Sequence, residues 1–289
     1  MTSVRFEDEN GTKYGIAHIG NKPFVVNSPD LSEIVFGNVS GEKIMTGLGE
    51  RESIGTTAAG EDITRMNELS NVPAALASDV LVPTPADAGE QMSLISESAE
   101  DNSASAGAGT INVEYLDASG DEQTTSVSMD GTAAVPLTPS DVRFVNDMYV
   151  TTLGANNVSG VAAGHIRIYQ TADATLVYNM IAAGGNKSLV PHRMIPRAKS
   201  LYLKEWICAE GNNKRLTMRL RSDCDNAAPP VRQAGVFLFK SVVYVNQSVS
   251  GAMPLGYRIP ALSMVKASAW ASAINGEASV HWWGILRDD

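Results

Sequence analysis

Four histidines, His18, His165, His192 and His281, are the residues best suited to hold a metal or move a proton near neutral pH. No two of them fall in an HxH, HxxxH or HExxH spacing, so no strand or helical turn presents a ready ligand pair. Each is read as a surface or strand residue. His281 stands beside Trp282 and Trp283, which would suit an aromatic pocket; a core strand with one wet residue is the simpler reading. The run AAGGNKS (182–188) has the glycines, lysine and serine of a phosphate loop. It places Asn186 where a glycine must precede Lys187, and Met180 or Ile181 where the first glycine belongs, so a turn is expected. No GxSxG elbow occurs.

Carboxylates cluster at Glu7–Asp8–Glu9, Glu61–Asp62 and Asp121–Glu122. Such pairs serve glycoside hydrolysis only at the right separation in space, and their polar, turn-like contexts point to solvated faces. The oxygen-rich SDCDN (222–226) lacks the calcium-loop pattern of an EF-hand. Asn-x-Ser triplets at Asn38, Asn157, Asn186 and Asn246 matter only in a eukaryotic secretory pathway. Cys208 and Cys224 are too few for a disulfide framework or a structural zinc site. Two free thiols is the simpler expectation, and a bridge between neighbouring strands the alternative. No catalytic, cofactor-binding or metal residue is assigned.

The elements that would carry these residues read as strands. In TINVEYLD, Ile111, Val113 and Tyr115 alternate with Asn112 and Glu114, and in HIRIY, Ile166 and Ile168 flank Arg167. Period-two patterns separated by turns such as DASGD and MDGT describe antiparallel sheet. In SLYLKEWI, Leu201 and Leu203 share one parity, and Tyr202, Lys204 and Trp206 the other. In RLTMRLRS, Leu216, Met218 and Leu220 oppose Thr217, Arg219 and Arg221, a basic face expected to be wet. GVFLFKSVVYVN is apolar on both parities and is expected to be buried from two sides. No helical period of twelve residues stands out; one helical turn is expected near Glu61–Leu69. SAEDNSASAGAG (98–109) reads as a small-residue surface loop.

This predicts an all-β chain with an extended N-terminal arm and connector (1–81), an Ig-like antiparallel β-sandwich (82–172) and a jelly-roll-like sandwich (173–289). The two prolines of VPTPADAGE, Pro83 and Pro85, mark the start of the second module. Residues 1–81 hold few large apolar side chains and are expected to lie on a partner.

Charge is divided unequally. The net is −10, but residues 1–150 carry 24 acidic against 7 basic groups and residues 151–289 carry 8 against 15. Docking between copies, pairing of the halves within one chain, and plain solvated faces all fit this contrast. The basic half has no dense run of Lys and Arg, so nucleic acid is not an expected partner. No apolar stretch reaches the roughly 18 residues of a membrane span. The opening MTSVRFEDENGTKYG lacks a basic region followed by an apolar one, so it is read as no signal peptide and synthesis in a cytoplasm is expected.

The stretch from SAEDNSASAGAGTINVEYLD through DVRFVNDMYVTTL to HIRIY, followed by IAAGGNKSLVPHRMIPRAKSLYLKEW, RLTMRLR and a closing WWGILRD, resembles β-rich virion proteins of marine and freshwater tailed bacteriophages. The resemblance covers about Gly89 to the C-terminus. It implies a non-enzymatic virion component: a head decoration or cement protein, or a neck or tail accessory. Its partners would be other copies of itself, a trimer first, and the major capsid or neck and tail proteins. It carries over no functional residues. The alternative is a host-attachment module binding surface glycans, for which Trp206, Trp270, Trp282 and Trp283 are the aromatics to watch, with core packing as their simpler role.

Overall fold

The computed structural model describes residues 5–7, 13–19, 22–27, 42–58, 60–68, 82–223, 238–246 and 253–289. Every strand pairing among them is antiparallel, and the one helical element among them is a 3-10 turn at Arg65–Glu68, where a helical turn was expected. The chain divides into two units, residues 1–44 and 45–289. In the first, β1 (Arg5–Glu7), β2 (Lys13–Ile19) and β3 (Lys22–Asn27) form a three-stranded meander. The second holds several small antiparallel sheets in a four-bladed, propeller-like arrangement.

Two of these sheets are built from β4 (Lys43–Ile54), β5 (Glu61–Asp62) and the C-terminal strands, and together they form what we term the scaffold module. Between β5 and the C-terminal strands, the inserted module contributes β6 (Met92–Ser96), β7 (Ala108–Asp117), β8 (Glu122–Ser128), β9 (Val135–Pro136), β10 (Val142–Leu153), β11 (Ile166–Gln170) and β12 (Asp173–Ile181). Its sheets run β10-β7-β8 and β12-β11-β6-β9. Both feed one apolar cluster that includes Met92, Leu94, Ile111, Val113, Tyr115, Met148, Ile166 and Ile168. The alternations read in TINVEYLD and HIRIY are therefore the alternations that build this core.

The scaffold module continues with β13 (Arg193–Met194), β14 (Lys199–Glu210), β15 (Leu216–Ser222), β16 (Leu238–Val245), β17 (Met253–Ile259), β18 (Met264–Ala271) and β19 (Gly276–Asp288). One sheet runs β17-β14-β19-β4; the other runs β13-β18-β15-β16, with β5 also paired to β18. Their shared core takes Met45, Ile54 and Ile63 from before the insertion, and Leu201, Trp206, Leu216, Met218, Leu220 and Trp282 from after it.

The expected arm (1–81) is corrected here. Strand β4 alternates exposed and buried side chains, placing Met45, Gly47, Gly49, Arg51 and Ile54 inward. Its inward glycines hid the amphipathic pattern, because a sequence scan for apolar residues sees no side chain there. Gly47 is needed: a methyl group at that position would sit 2.6 Å from Cζ2 of Trp282, and closer still to its Nε1 and Cε2. The boundary at 172/173 also moves. Strand β12 pairs with β11, and its Tyr178 and Ile181 join the inserted module's core.

Three strand readings change as well. Trp206 turns inward with Leu201 and Leu203 because the register of β14 shifts between Leu203 and Glu205 against both β17 and β19. A bulge inserts one residue and so reverses the parity beyond it. On β15, Thr217 and Arg221 are buried rather than wet, and Arg221 reaches Asp62 of β5 beyond the neighbouring β18. Strand β16 is at the end of its sheet, with Val242 42% and Tyr244 73% exposed, instead of buried from two sides.

Candidate functional site

Among the described residues the densest chemistry is a buried ionic seam where both connectors of the inserted module meet the scaffold. It starts from a cross-strand pair. In the β15–β18 ladder Arg221 lies directly opposite Lys266, an arrangement of like charges that is unfavourable on its own. Strand β5 pairs on the far side of β18, with Asp62 opposite Ser268. That register sets the fully buried Asp62 carboxylate between the two cations: Lys266 Nζ is 3.3 Å from Oδ2 and Arg221 Nη2 3.5 Å from Oδ1. Arg51 of β4 donates to the Asp62 carbonyl at 3.2 Å and pairs with Glu61. Asp223 accepts the Met264 amide at 2.6 Å.

The same Asp62 Oδ2 reaches both connectors. The Val82 amide, leading into the inserted module, donates to it at 2.8 Å. His192 Nε2, on the strap leading out, lies 3.7 Å away. The strap is stitched on both sides. Trp282 Nε1 donates to Pro191 O at 3.0 Å, the Arg65 amide donates to Leu189 O at 3.1 Å, and Arg193 and Met194 pair with Val265 and Met264. Towards the inserted module, Asn146 exchanges two hydrogen bonds with the backbone of Met194, at 2.8 and 3.1 Å. Arg193 reaches Asp147 at 3.3 Å while donating to the carbonyls of Val190 and His192, each at 2.7 Å.

Burial and charge oppose each other throughout this seam. Burial pushes the Asp62 carboxyl up, but Lys266, His192, Arg221 and the Val82 amide together outweigh it and leave it below the usual carboxylate value. Burial lowers Lys266 to about 8 despite Asp62. His192 is lowered to about 4, mainly by burial, with Lys266, Arg193 and Arg221 adding to the effect and Asp62 opposing it. A neutral imidazole among paired ions results. The members are buried, and through Asp62 they tie both connectors of the inserted module to the scaffold. Removing one member of such a network leaves an uncompensated charge, at a cost of about 3–5 kcal/mol.

The residues singled out in the sequence are dispersed. His165 accepts the Ala183 amide at 2.8 Å, His281 is exposed on β19, and His18 lies on β2. AAGGNKS is a turn, with the Gly185 amide on Ala182 O at 2.9 Å and Lys187 paired to Asp147 at 2.8 Å. Trp206 and Trp282 are core residues; Trp270 lies under the Arg219 guanidinium at 4.0 Å, and Trp283 donates to Glu205 at 3.0 Å. Cys208 is buried in the scaffold core, and Cys224 lies outside the described residues. Asp121 and Glu122 pair with Arg197 and Lys199, at 2.5 and 3.4 Å. These pairs and the seam match acidic and basic halves within one chain. Glu61–Asp62, expected on a solvated face, is the heart of the seam.

A second unanticipated carboxylate is Asp101 in the SAEDNSASAGAG loop. It is fully buried and accepts the amides of Ala108, Ala163 and Gly164 at 2.7–2.9 Å and the Ser96 hydroxyl at 2.5 Å, so it pins both ends of its own loop to the loop at 161–164. Two signals in the sequence pointed to the seam: Lys266 inside the apolar MVKASAW, and Arg221 following Leu216, Met218 and Leu220. Their shared partner did not show, because Asp62 is 159 residues from Arg221 and 204 from Lys266. No protein-family model matches the chain, and no curated protein matches it.

Proposed function

We propose that this protein is a non-enzymatic structural component of a tailed-phage virion, a capsid decoration or cement protein or a neck or tail accessory, acting through subunit–subunit contacts. The observation that carries the reading is the strand order of the scaffold module. The orders β4-β19-β14-β17 and β13-β18-β15-β16, with β5 added beside β18, support a jelly-roll reading of these two sheets, an architecture that recurs in viral capsid and lectin domains. On this reading β4 and β5 open the roll, and an antiparallel sandwich of β6–β12 is inserted before it resumes at β13. The bonded connectors and buried seam support a rigid two-module body, which suits a protein whose work is shape.

Self-association, with a trimer first, remains part of the proposal, though the acidic and basic halves find partners within the chain, so apolar contact would supply most of the affinity. Peptide mass spectrometry of purified particles should find the protein, and light scattering of the soluble chain should give a multiple of 30.6 kDa. Absence from the particles overturns the reading. A glycan-binding role is favoured by one feature, the exposed Tyr244 on the face that carries the Arg219–Trp270 stack. Retention on host-surface polysaccharide, lost in Tyr244→Ala, would select it.

A further inference from the structure

We propose that the seam is an acid-responsive joint: proton uptake by His192 beside Asp62 loosens the strap and frees the inserted module to move against the scaffold. The inference is independent of where the protein acts. Its geometry is the convergence already described, in which one buried carboxylate touches the Val82 amide on the connector leading in and the His192 imidazole on the strap leading out.

The charges around the site decide the direction. Facing His192 and Asp62 are Lys266 from β18, Arg221 and Asp223 from β15 and its end, Arg51 and Glu61 from β4 and β5, and Arg193 from β13, with Asp147 of β10 and Glu114 of β7 acting on Arg193. Glu61 is engaged by Arg51 and by the Gly55 amide, Asp147 by Arg193, Lys187 and Ser188, and Asp223 by the Met264 amide. Asp62 is therefore the carboxylate left to face His192, and it is already shared with Lys266 and Arg221. An imidazolium there would be a further buried cation, whereas an imidazole on an opened strap regains its ordinary value near 6.5. The open form thus binds the proton that the closed form refuses. Stability of the closed joint is full above pH 6.5 and declines as pH falls from there towards 4.

Opening should be local. Two apolar clusters lie at the joint, Leu116 and Phe144 with Met194 and Met264, and Val82, Val190 and Met66 with Val177 and Met180, and both are smaller than the core of either module. By contrast each module keeps its own large core.

Hydrogen exchange with mass detection on the full chain, corrected for the intrinsic rate at each pH, tests this. In segments 82–90 and 188–195 the opening equilibrium should rise about tenfold per pH unit below about 6.5, while β7 and β14 keep their protection. His192→Gln, uncharged in both forms, should remove that slope and keep neutral-pH protection. A flat response in the wild-type chain, an unchanged slope in the variant, or simultaneous loss of protection in all strands would overturn the proposal. Should His192→Gln not fold, an NMR titration of the wild-type imidazoles decides: His192 staying neutral to well below the ordinary value supports the joint, and ordinary titration without change in exchange refutes it.

Discussion

Replacing Gly47 by alanine tests whether residues 43–54 are an integral strand of the scaffold. Gly47 is an inward position of β4, and its backbone does not need the left-handed region, so the effect must come from packing. The added methyl would collide with the indole of Trp282, which is fully buried and held by its hydrogen bond to Pro191 O at 3.0 Å. The indole must shift, or β4 must retreat. Overpacking of this kind costs about 1–3 kcal/mol, and loss of the buried N–H bond adds about 1–3 kcal/mol. Against these, a glycine removed from the unfolded chain returns about 0.4–1 kcal/mol. The net expectation is about 1–5 kcal/mol of destabilisation, read by urea denaturation followed by tryptophan fluorescence. Gly256→Ala on β17 is the control, since a methyl there meets nothing within 4 Å. A Gly47→Ala change no larger than the control would refute the placement of β4 against Trp282.

Other expectations follow from the same structure. Asp62→Asn should cost about 3–5 kcal/mol by denaturant titration, because Lys266 and Arg221 are left facing each other. Adding Lys266→Met to that variant should recover part of the loss. Asp101→Ala strands two buried amides, those of Ala108 and Gly164, at about 1–3 kcal/mol each and should lower the thermal midpoint markedly, with the loops at 98–109 and 161–164 losing exchange protection first. Removing residues 1–81 should abolish cooperative unfolding, because β4, β5 and Asp62 go with them; removing residues 1–42 should leave it.

What was legible in the sequence was local. Alternation in TINVEYLD and HIRIY gave true strands with the right faces, since a half-buried strand writes its environment into every second residue. What escaped was set by distant partners. The parity of Trp206 depends on a bulge felt against β17 and β19. The burial of Arg221 depends on a two-residue strand contributed from before the insertion. Strand β4 packs through Gly47 and Gly49, whose value lies in the space they leave for Trp282 and Pro191. The seam was hidden for the same reason: opposite charges more than a hundred residues apart carry no local pattern, and Glu61–Asp62 has the composition of an ordinary polar turn.

The most direct test of the account is the copy number of this chain in purified virions, measured by quantitative gel densitometry against the major capsid protein. A structural role predicts a fixed, symmetry-related number, in the hundreds for a head-surface protein or small and constant for a neck or tail accessory. A trace that varies between preparations, or no band at all, would contradict it.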